Sequence, residues 1–429
     1  MKLLILAGGK GTRLGFKDIP KPMVLVNGKP VLEYQIELAK KYGINEVFIL
    51  SGYKSQSIID YFKDGSNWGL SVKHITEKKP LGTAGSVLQL REELNENFMV
   101  FYGDTIMDIN LKAMIEFDNK YQSIGTLLVH PNDHPFDSDI VELDKNELNI
   151  LQFHPKNSQK AYIPNLVNAA LYIFSPEIFN YIKPDTNLDF GRDVFPEIIK
   201  NGGKFNAYYS SEYIKDMGTP KRIKQVEFDI KSGKVSRLNN ENKRKAIFID
   251  RDGVINKEVD SLCKIEDFEL IHNSAKAIKM INKSEYLAIV VTNQPVIAKG
   301  FCSEDDVRDI HSKMEQLIGL ENAYLDKIYF CPHHPESGFK GEVIELKIDC
   351  ECRKPNTGMI KKAVKDLNID LQKSYLIGDT TSDIKTGEKM GLKTILVKTG
   401  YSGRDEKYIV NPNYHCDNLL EGVKKILKL

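Results

Sequence analysis

Short apolar runs alternate with amphipathic stretches along two long portions of the chain. In the first portion the runs predict strands, and helical patterns such as residues 31–41 lie between them. Strands that alternate with helices are typical of parallel sheets covered by helices, in which sites form at the carboxyl ends of the strands. The clearest predicted strands lie at 3–6, 46–50, 97–101 and 125–129 in the first portion, and at 246–249, 287–291, 374–377 and 393–397 in the second.

A polar stretch separates these two portions. Residues 231–245 contain almost no large apolar side chains, so we place a domain boundary there. The chain has 429 residues, which is more than a single hydrophobic core usually serves. We therefore predict a first domain over residues 1–228, a linker over 229–245 and a second domain over 246–429.

Charge and hydropathy limit the classes of function. The formal net charge is +1, which gives no electrostatic footprint for nucleic acid or a membrane surface. No apolar stretch is long enough to span a bilayer, and the run at 1–7 is too short for the core of a signal peptide. We expect a cytoplasmic protein without nucleic-acid or membrane partners, and a homo-oligomer remains an open alternative.

A glycine-rich segment at residues 6–14, Leu-Ala-Gly-Gly-Lys-Gly-Thr-Arg-Leu, directly follows the first predicted strand. Its glycines leave backbone N–H groups free to face phosphate oxygens, although such a segment can also be a simple tight turn. Further motifs follow it in order: Pro-Lys-Pro-Met at 20–23, Glu77, Pro-Leu-Gly-Thr-Ala-Gly at 80–85, Gly-Asp at 103–104 and Asp-Met-Gly-Thr-Pro at 216–220. Together these motifs resemble those of the sugar-1-phosphate nucleotidyltransferases, over essentially all of residues 1–228.

The resemblance implies that a sugar phosphate oxygen attacks the α-phosphate of a nucleoside triphosphate. Because charge gathers on the attacked centre and on the leaving pyrophosphate, catalysis is mainly positioning and charge neutralisation. Arg13 and Lys21 can supply positive charge, and by resemblance Asp104 and Asp216 hold Mg²⁺. From the residues alone, Asp104 could instead be a helix cap and Asp216 a turn residue. The implied binding residues are Gly8, Gly9, Gly11, Thr12, Glu77, Gly82, Thr83, Lys156 and Asn168.

Four polar motifs mark the second portion, most of them at the ends of predicted strands. They are Asp-Arg-Asp-Gly at 250–253, Thr-Asn-Gln at 292–294, Arg-Lys-Pro at 353–355, and Gly-Asp at 378–379 with Asp383. In this order they resemble the haloacid dehalogenase phosphatases.

This second resemblance implies a role for each motif. Asp250 attacks phosphorus to form an aspartyl phosphate, and Asp252 protonates the leaving oxygen and later deprotonates water. Mg²⁺ is bound by Asp250, Asp379 and the backbone carbonyl of Asp252, whereas Asp383 supports the site without being a ligand. Substrate binding falls to Thr292, Asn293, Arg353 and Lys354.

A cysteine and histidine set lies between these motifs. Cys331, His333, Cys350 and Cys352 form a Cys-x-His and Cys-x-Cys pattern, which suits tetrahedral Zn²⁺ with three thiolates and one imidazole. Because four protein ligands leave no open position, we predict a structural zinc that pins the loop carrying the Arg-Lys-Pro motif.

The zinc loop narrows the resemblance to two families. Cys-Pro-His-His-Pro at 331–335 and Cys-Arg-Lys-Pro at 352–355 resemble the D-glycero-D-manno-heptose 1,7-bisphosphate phosphatases, and almost as closely the histidinol-phosphate phosphatases. Pro295-Val296 and Thr380 depart from the heptose pattern close to the phosphate, and in the first domain Pro155-Lys156 stands where the family has Glu-Lys.

The two resemblances together imply an α/β protein with two Rossmann-like domains, a nucleotidyltransferase α/β/α fold and a haloacid dehalogenase-like fold with a zinc loop. We expect the 7-phosphate of the heptose bisphosphate to be removed, and the resulting 1-phosphate to be converted with GTP to GDP-heptose. Another sugar or polyol phosphate, and CTP, UTP or dTTP in place of GTP, stay open. A histidinol-phosphate phosphatase fused to a nucleotidyltransferase is the less favoured alternative.

Overall fold

The computed structural model describes residues 1–9, 19–77, 79–155 and 162–429. Contacts between residues divide the chain into two compact units. The first comprises the described parts of 1–130, 138–156 and 166–239, and the second comprises 131–137, the described part of 157–165, and 240–429. Residues 229–231 and 234–237 of the stretch predicted as a linker are helical, because its lysines and arginines favour a helix as readily as a loop.

The first unit alternates strands with helices over most of its length. Its strands and α-helices are β1 (Lys2–Ala7), β2 (Leu25–Val26), β3 (Lys29–Pro30), α1 (Val31–Lys41), β4 (Glu46–Ser51), α2 (Ser55–Phe62), β5 (Ser71–Thr76), α3 (Gly82–Gly85), β6 (Phe98–Tyr102), β7 (Thr105–Asp108), α4 (Leu111–Tyr121), β8 (Gly125–His130), β9 (Ile140–Leu143), β10 (Ile150–His154), β11 (Val167–Phe174), α5 (Phe195–Lys200), β12 (Phe205–Tyr209), β13 (Tyr213–Asp216), α6 (Pro220–Lys231) and α7 (Lys234–Arg237). Short 3-10 helices lie at Lys21–Met23, Ser66–Trp68, Ser86–Leu90 and Pro176–Tyr181, and a π-helical turn at Phe190–Val194.

The main sheet of this unit is mixed, so the prediction of a parallel sheet was wrong for this half. Strands run in the order β10-β9-β11-β6-β1-β4-β5, and β8 joins β11 to β12. The central β6, β1, β4 and β5 are parallel, whereas β11 is antiparallel to β6, β8 and β9. Apolar runs show where buried strands lie, but they do not show whether neighbouring strands are parallel or antiparallel, because both kinds of pairing bury the same side chains.

Two apolar clusters cover the opposite faces of this sheet. Successive residues of β1 contribute to both, since Leu4 packs into one cluster and Leu3 and Ile5 pack into the other. All three side chains are fully buried. Helices therefore pack on both faces of the central strands and fix the positions of the carboxyl ends of β1 and β6.

The second unit repeats the alternation of strands and helices. Its elements are β14 (Lys245–Ile249), α8 (Ser274–Lys283), β15 (Tyr286–Asn293), α9 (Glu304–Leu320), β16 (Lys327–Cys331), α10 (Gly358–Leu367), β17 (Tyr375–Gly378), α11 (Thr381–Met390), β18 (Lys393–Val397), β19 (Tyr414–Cys416) and α12 (Leu419–Leu427), with 3-10 helices at Pro135–Asp137, Ile265–Asp267, Ile344–Leu346 and Leu371–Lys373.

The sheet of the second unit is parallel throughout, as the sequence predicted. Its strands run in the order β16-β15-β14-β17-β18-β19. In the described part of the chain, no helix is long and apolar enough to cross a membrane. The two units confirm the predicted fold class, an α/β protein with two domains, each built on its own main sheet.

Candidate active sites

Three neighbouring strands deliver the polar motifs of the second unit to one edge of its sheet. Because β15, β14 and β17 are parallel neighbours, their carboxyl ends lie side by side. Thr292 lies near the end of β15, Asp250 follows β14, and Asp379 follows β17. The structure therefore brings together three of the residues that the sequence predicted for this site.

Three buried carboxylates form a compact group at this edge. Carboxylate oxygens of Asp250, Asp379 and Asp383 all lie within 4.8 Å of one another. The backbone N–H of Tyr401 donates to Oδ2 of Asp379 at 2.7 Å. Among the described residues, no hydrogen-bond donor reaches the buried Oδ1 of Asp379. An oxygen buried without a donor is suited to a cation.

Two glycines allow the chain to come this close to Asp379. A Cβ atom at Gly253 would lie 2.4 Å from Asp379 Oδ2, and one at Gly400 would lie 2.1 Å from the same atom. Both glycines also have positive φ angles, of 75° and 62°. Larger residues at either position would displace the carboxylate.

Lys354 supplies the positive charge of this group. Its Nζ lies 2.8 Å from Asp250 Oδ1 and 2.5 Å from Asp383 Oδ1, and it donates to the carbonyl of Val291 at 2.9 Å. Asn293 holds the Lys354 backbone through two bonds, because its Oδ1 accepts from the amide at 3.0 Å and its Nδ2 donates to the carbonyl at 3.1 Å. In this structure Asn293 thus positions Lys354.

Burial and mutual repulsion perturb two of the carboxyls. Burial, then the charge of Asp383, raises the pKa of Asp250 to about 7 against the opposing effect of Lys354. Burial, then the charge of Asp250, raises the pKa of Asp379 to about 9. A divalent cation would relieve this repulsion, and a set of carboxylate oxygens is what Mg²⁺ prefers. The residues present therefore fit Mg²⁺.

Asp383 has a second role at the start of α11. Its Oδ2 accepts from the hydroxyl and the backbone N–H of Thr380 at 2.5 and 3.1 Å, which forms a capping box. Both of its oxygens are therefore engaged, one by Thr380 and the other by Lys354. Asp383 also lies within 4.8 Å of the other two carboxylates, and its supporting role stays a prediction.

Asp252 lies in a separate set of donors. The Arg251 Nη2 donates to its two oxygens at 2.9 and 2.8 Å, Asn256 Nδ2 donates to Oδ1 at 2.9 Å, and Gln294 Nε2 donates to Oδ2 at 2.8 Å. Burial alone would raise the pKa of Asp252, but the Arg251 charge and these hydrogen bonds hold it below its ordinary value. Arg251, Asn256 and Gln294 were not assigned roles from the sequence, because their contacts depend on the fold.

The remaining binding residues of this half are placed differently. Thr292 is buried, and its hydroxyl accepts from Gln294 Nε2 at 2.9 Å. The Arg353 guanidinium donates to the carbonyl of His333 at 3.2 Å, so its side chain points to the loop that carries His333. Glu258 is a further carboxyl near the site, and burial, then the charges of Asp252 and Asp250, raises its pKa to about 7.

The four cysteine and histidine residues of the zinc loop form one cluster. Their ligand atoms lie within 4.8 Å of one another. The Cys331–Cys350, Cys350–Cys352 and Cys352–Cys331 sulfur separations are 3.5, 3.3 and 3.1 Å, and His333 Nδ1 lies 3.3 Å from the Cys352 sulfur. Hydrogen bonding from Cys331 lowers the pKa of Cys352 to about 5, so a thiolate is favoured there. The set fits tetrahedral Zn²⁺.

In the first unit, the two predicted metal carboxylates lie at neighbouring ends of two paired strands, with Asp104 just before β7 and Asp216 at the end of β13. β7 and β13 are antiparallel, with Asp216 opposite Thr105, and the Met217 N–H donates to the carbonyl of Asp104 at 2.8 Å. Asp104 forms an ion pair with Lys21. The structure therefore places the predicted lysine against one of the predicted metal ligands.

Asp216 has a cationic partner that the sequence analysis missed. Arg222 Nη1 lies 2.7 and 2.6 Å from its two oxygens, and the Gly218 N–H donates to Oδ1 at 2.9 Å. Arg222 lies in the first turns of α6, six positions after Asp216, so the short turn at 217–219 brings it back to the carboxylate. A basic residue shortly after the Asp-Met-Gly-Thr-Pro motif was the available signal.

Part of the predicted glycine loop lies outside the described residues. Gly11, Thr12 and Arg13 fall there, as does Lys156. Gly8 and Gly9 are described, and a Cβ atom at Gly8 would lie 2.8 Å from Oε2 of Glu77. Burial raises the pKa of Glu77 against a hydrogen bond with Ser86.

The Gly82-Thr83 turn packs against a second segment of the same unit. Gly82 has a φ of +76°, and a Cβ atom there would lie 2.3 Å from the carbonyl oxygen of Leu188. The Thr83 hydroxyl donates to Asp189 Oδ2 at 2.8 Å and accepts from the Phe190 N–H at 3.0 Å. These contacts give both residues a structural role beside the nucleotide-binding role that the sequence predicted.

Asn168 lies at a bulge in β11, where the register shifts between Asn168 and Tyr172. Its Nδ2 donates to the Tyr172 hydroxyl at 3.0 Å. Tyr102 lies beside this pair, and burial, then the charge of Asp189, raises its pKa. Asp189 also accepts from the N–H groups of Gly191 and Arg192, which is a capping signal that could have identified it from the sequence.

Comparisons with known proteins assign both halves. The sequence model of the family described as nucleotidyl transferase matches residues 2–233, and that of the family described as HAD-hydrolase-like matches 351–422. The second half is 37% identical over 187 residues to the D-glycero-beta-D-manno-heptose-1,7-bisphosphate 7-phosphatase of Pasteurella multocida, which covers 42% of this chain and 99% of that protein.

Two further proteins resemble the first half. The UTP–glucose-1-phosphate uridylyltransferase of a Synechocystis strain is 30% identical over 223 residues, which covers 48% of this chain and 57% of that protein. A crystal structure of HddC from Yersinia pseudotuberculosis complexed with GMP-PN is 28% identical, with a TM-score of 0.47, and the match covers 53% of this chain and 99% of that one.

Proposed function

We propose that this chain, which belongs to the nucleotidyl transferase family and continues into a haloacid dehalogenase-like heptose bisphosphate phosphatase, performs two consecutive steps on one metabolite. The second half removes the 7-phosphate of D-glycero-D-manno-heptose 1,7-bisphosphate. The first half transfers a nucleotidyl group from GTP to the heptose 1-phosphate that results. GDP-heptose, a donor for surface polysaccharide, and pyrophosphate are the products.

The observation that carries this proposal is the covalent fusion itself. A heptose bisphosphate phosphatase is matched over nearly its whole length, and that match follows the nucleotidyl transferase match over residues 2–233 of the same chain. A transferase that requires a sugar 1-phosphate benefits from a partner that removes the distal phosphate, because a second dianion would fit poorly in a pocket shaped for the free sugar.

In the phosphatase half, Asp250 is the proposed nucleophile. Its carboxylate attacks phosphorus while the bond to the sugar oxygen breaks, and Asp252 donates a proton to that oxygen. Lys354 and Thr292 hold the phosphoryl oxygens. The incoming dianion favours the protonated form of Asp252 during this step, although the resting site favours its carboxylate.

In the second step of the phosphatase reaction, Asp252 takes a proton from water. The hydroxide attacks phosphorus, the bond to Asp250 breaks, and inorganic phosphate leaves. Asp250, Asp379 and the backbone carbonyl of Asp252 would hold Mg²⁺, which would reduce repulsion between carboxylate and phosphate. The cysteine and histidine cluster would hold a structural Zn²⁺.

In the transferase half, Asp104 and Asp216 are the proposed ligands of a second Mg²⁺, which would neutralise phosphate charge. The heptose 1-phosphate oxygen attacks the α-phosphorus of the nucleotide, and pyrophosphate leaves. Lys21 and Arg13 stabilise the charge that develops. The nucleotide and sugar are bound by the two glycine turns, Glu77, Lys156 and Asn168, as the resemblance implies.

The choice of nucleotide is the least constrained element. GTP follows from the heptose pathway, whereas similarity to a UTP–glucose-1-phosphate uridylyltransferase favours UTP as the second candidate. CTP and dTTP, and another sugar or polyol phosphate, complete the alternatives. We place the protein in the cytoplasm, where cysteine side chains stay reduced, and none of its six cysteines forms a disulfide.

Two single substitutions test whether the sites are separate. With the heptose bisphosphate as substrate, Asp250→Asn should abolish phosphate release, and with heptose 1-phosphate and GTP it should leave pyrophosphate release intact. Asp104→Ala should do the reverse in the same two assays. Exposed Asp267→Asn is the control and should leave both reactions unchanged. Loss of both reactions in a folded single variant would contradict two independent sites.

A further inference from the structure

A buried cluster of polar side chains surrounds Asp252 and has no role in the reaction as described so far. It comprises Arg251, Gln294 and His311, all of them almost inaccessible to solvent. They come from three different elements, the turn after β14, the end of β15 and the middle of α9. Buried polar groups are costly unless they are hydrogen-bonded, and these are bonded to one another and to Asp252.

The Gln294 side chain links Asp252 to Thr292 through hydrogen bonds. Its Nε2 donates to Asp252 Oδ2 at 2.8 Å and to the Thr292 hydroxyl at 2.9 Å, while its Oε1 accepts from Arg251 Nη2 at 2.9 Å. Its backbone N–H donates to the carbonyl of Cys331 at 2.7 Å. With both ends of the amide and the backbone engaged, the side chain has one orientation, and it presents a donor to Asp252.

Hydrogen bonds also fix the orientation of the Arg251 guanidinium. Its Nη2 contacts both oxygens of Asp252, and its Nη1 donates to Nε2 of His311 at 3.1 Å. Burial, then the charges of Arg251 and Arg308, holds the pKa of His311 well below its ordinary value. His311 is therefore neutral and can accept this hydrogen bond. Its ring also packs edge-on against Phe330, with 5.4 Å between centroids.

We propose that His311, Arg251 and Gln294 are positioning residues that fix the carboxylate of Asp252 for proton transfer to the leaving sugar oxygen. This inference rests on the proposed phosphatase mechanism. His311 orients Arg251, and Arg251 and Gln294 together set the plane and direction of the carboxylate.

The proposal predicts a dependence on the leaving group. When Asp250 attacks a sugar phosphate, the departing oxygen is a strongly basic alkoxide, so a misplaced Asp252 slows its departure. p-Nitrophenolate leaves as a stable anion and needs no proton. A general loss of structure would slow the first step with both substrates alike, whereas a loss of positioning should slow the first step more with the sugar phosphate.

The test compares two variants with a rescue and a control. His311→Phe and Gln294→Met each remove one of the three positioning residues, and His311→Gln keeps a hydrogen-bond acceptor near Arg251. Asn282→Ala removes the bonds from α8 to Tyr324, in the same unit but away from Asp252, and serves as the stability control. Each protein is assayed with Mg²⁺ on the heptose 1,7-bisphosphate and on p-nitrophenyl phosphate.

We expect His311→Phe and Gln294→Met to lower kcat/KM on the heptose bisphosphate by roughly 10-fold or more, because kcat/KM reports the first step and general acid catalysis contributes about 10²- to 10⁴-fold to it. On p-nitrophenyl phosphate the loss of kcat/KM should stay within about 3-fold, since that leaving group needs no acid in the first step. The second step, in which Asp252 acts as base, is common to both substrates and enters kcat alone. The quantity to compare is the kcat/KM on the heptose bisphosphate divided by the kcat/KM on p-nitrophenyl phosphate. His311→Gln should restore this ratio to near the wild-type value, and Asn282→Ala should leave it unchanged.

An equal loss of kcat/KM on both substrates in His311→Phe and Gln294→Met would overturn the positioning role while leaving the phosphatase assignment intact. If wild type released phosphate from p-nitrophenyl phosphate but not from the heptose bisphosphate, the proposed substrate would fail, and glucose 6-phosphate, another alkyl phosphate, would serve for the ratio. Wild-type protein inactive on all three compounds would overturn both the proposed function and this inference.

Discussion

Lys354 Nζ lies 2.8 Å from the Asp250 carboxylate, so the phosphatase half holds a cation against its proposed nucleophile before any substrate arrives. The ammonium is almost completely buried, and it also contacts Asp383. Asp250 and Asp383 raise the pKa of Lys354 more strongly than burial lowers it, so the side chain is charged. One lysine thus compensates two buried carboxylates and presents positive charge to an incoming phosphate.

Replacing this lysine should therefore affect both stability and activity. Lys354→Met leaves the buried carboxylates without their cation, and breaking such a pair typically costs about 3–5 kcal/mol. Phosphate release should fall by roughly 100-fold or more, because a fixed positive charge at the phosphoryl group is lost. Denaturant unfolding and a phosphate-release assay measure the two effects.

Exposed Lys361→Met on α10 is the matched control and should behave as wild type in both assays. Wild-type stability in Lys354→Met would show that this ion pair does not support the phosphatase half.

Zinc should be structural and local to the phosphatase half. We expect about one Zn²⁺ per chain in protein purified without chelators, because four ligands close the site. Cys350→Ser should lose the zinc and destabilise this half, and nucleotidyl transfer should persist. Cys302→Ser, which lies outside the four-residue cluster, should keep the metal. Elemental analysis that found no zinc in wild-type protein would refute the assignment.

A buried carboxyl in the transferase half predicts a pH effect on stability. Burial raises the pKa of Asp118 above its ordinary value of 3.8, against hydrogen bonds from Thr126 and Asn97. A raised folded-state pKa means that the contribution of this group is fully present below the unfolded pKa. It is lost as the pH rises through the folded pKa.

Asp118→Asn should remove this dependence. Relative to the variant, wild-type protein should lose stability as the pH rises from 3.8, and the difference should level off above the raised pKa. Denaturant unfolding of both proteins over that range measures it. Exposed Asp185→Asn should follow wild type, and a wild-type advantage that grew with pH would reverse the predicted sign.

The sequence predicted those features of the sites that depend on local pattern. Lys393–Val397 and Val31–Lys41 were predicted with the observed bounds, because apolar period and flanking polar residues mark both ends. Asp250 and Asp379 could be paired in advance, since each follows an apolar run and parallel strands align their carboxyl ends. The cluster of Cys331, His333, Cys350 and Cys352 could be predicted from their spacing in the sequence.

The contacts that depend on tertiary packing could not be predicted in this way. His311 meets Arg251 across 60 positions, and Thr83 meets Asp189 across 106, so neither pair has a local signal. The antiparallel strand β11 was missed for a related reason, because its bulge at Asn168 breaks the simple apolar alternation. The pattern of a single sequence predicts where helices and strands lie. Which elements pack against each other becomes known only from the folded structure.

The most direct test of the central claim follows both steps in one vessel. Wild-type protein is incubated with D-glycero-D-manno-heptose 1,7-bisphosphate, GTP and Mg²⁺, and products are identified by mass spectrometry, with Asp250→Asn as the matched variant. Wild type should form phosphate, pyrophosphate and GDP-heptose, whereas Asp250→Asn should form GDP-heptose only when heptose 1-phosphate is supplied. If wild type leaves the bisphosphate untouched but dephosphorylates another sugar or polyol phosphate, the heptose assignment is wrong.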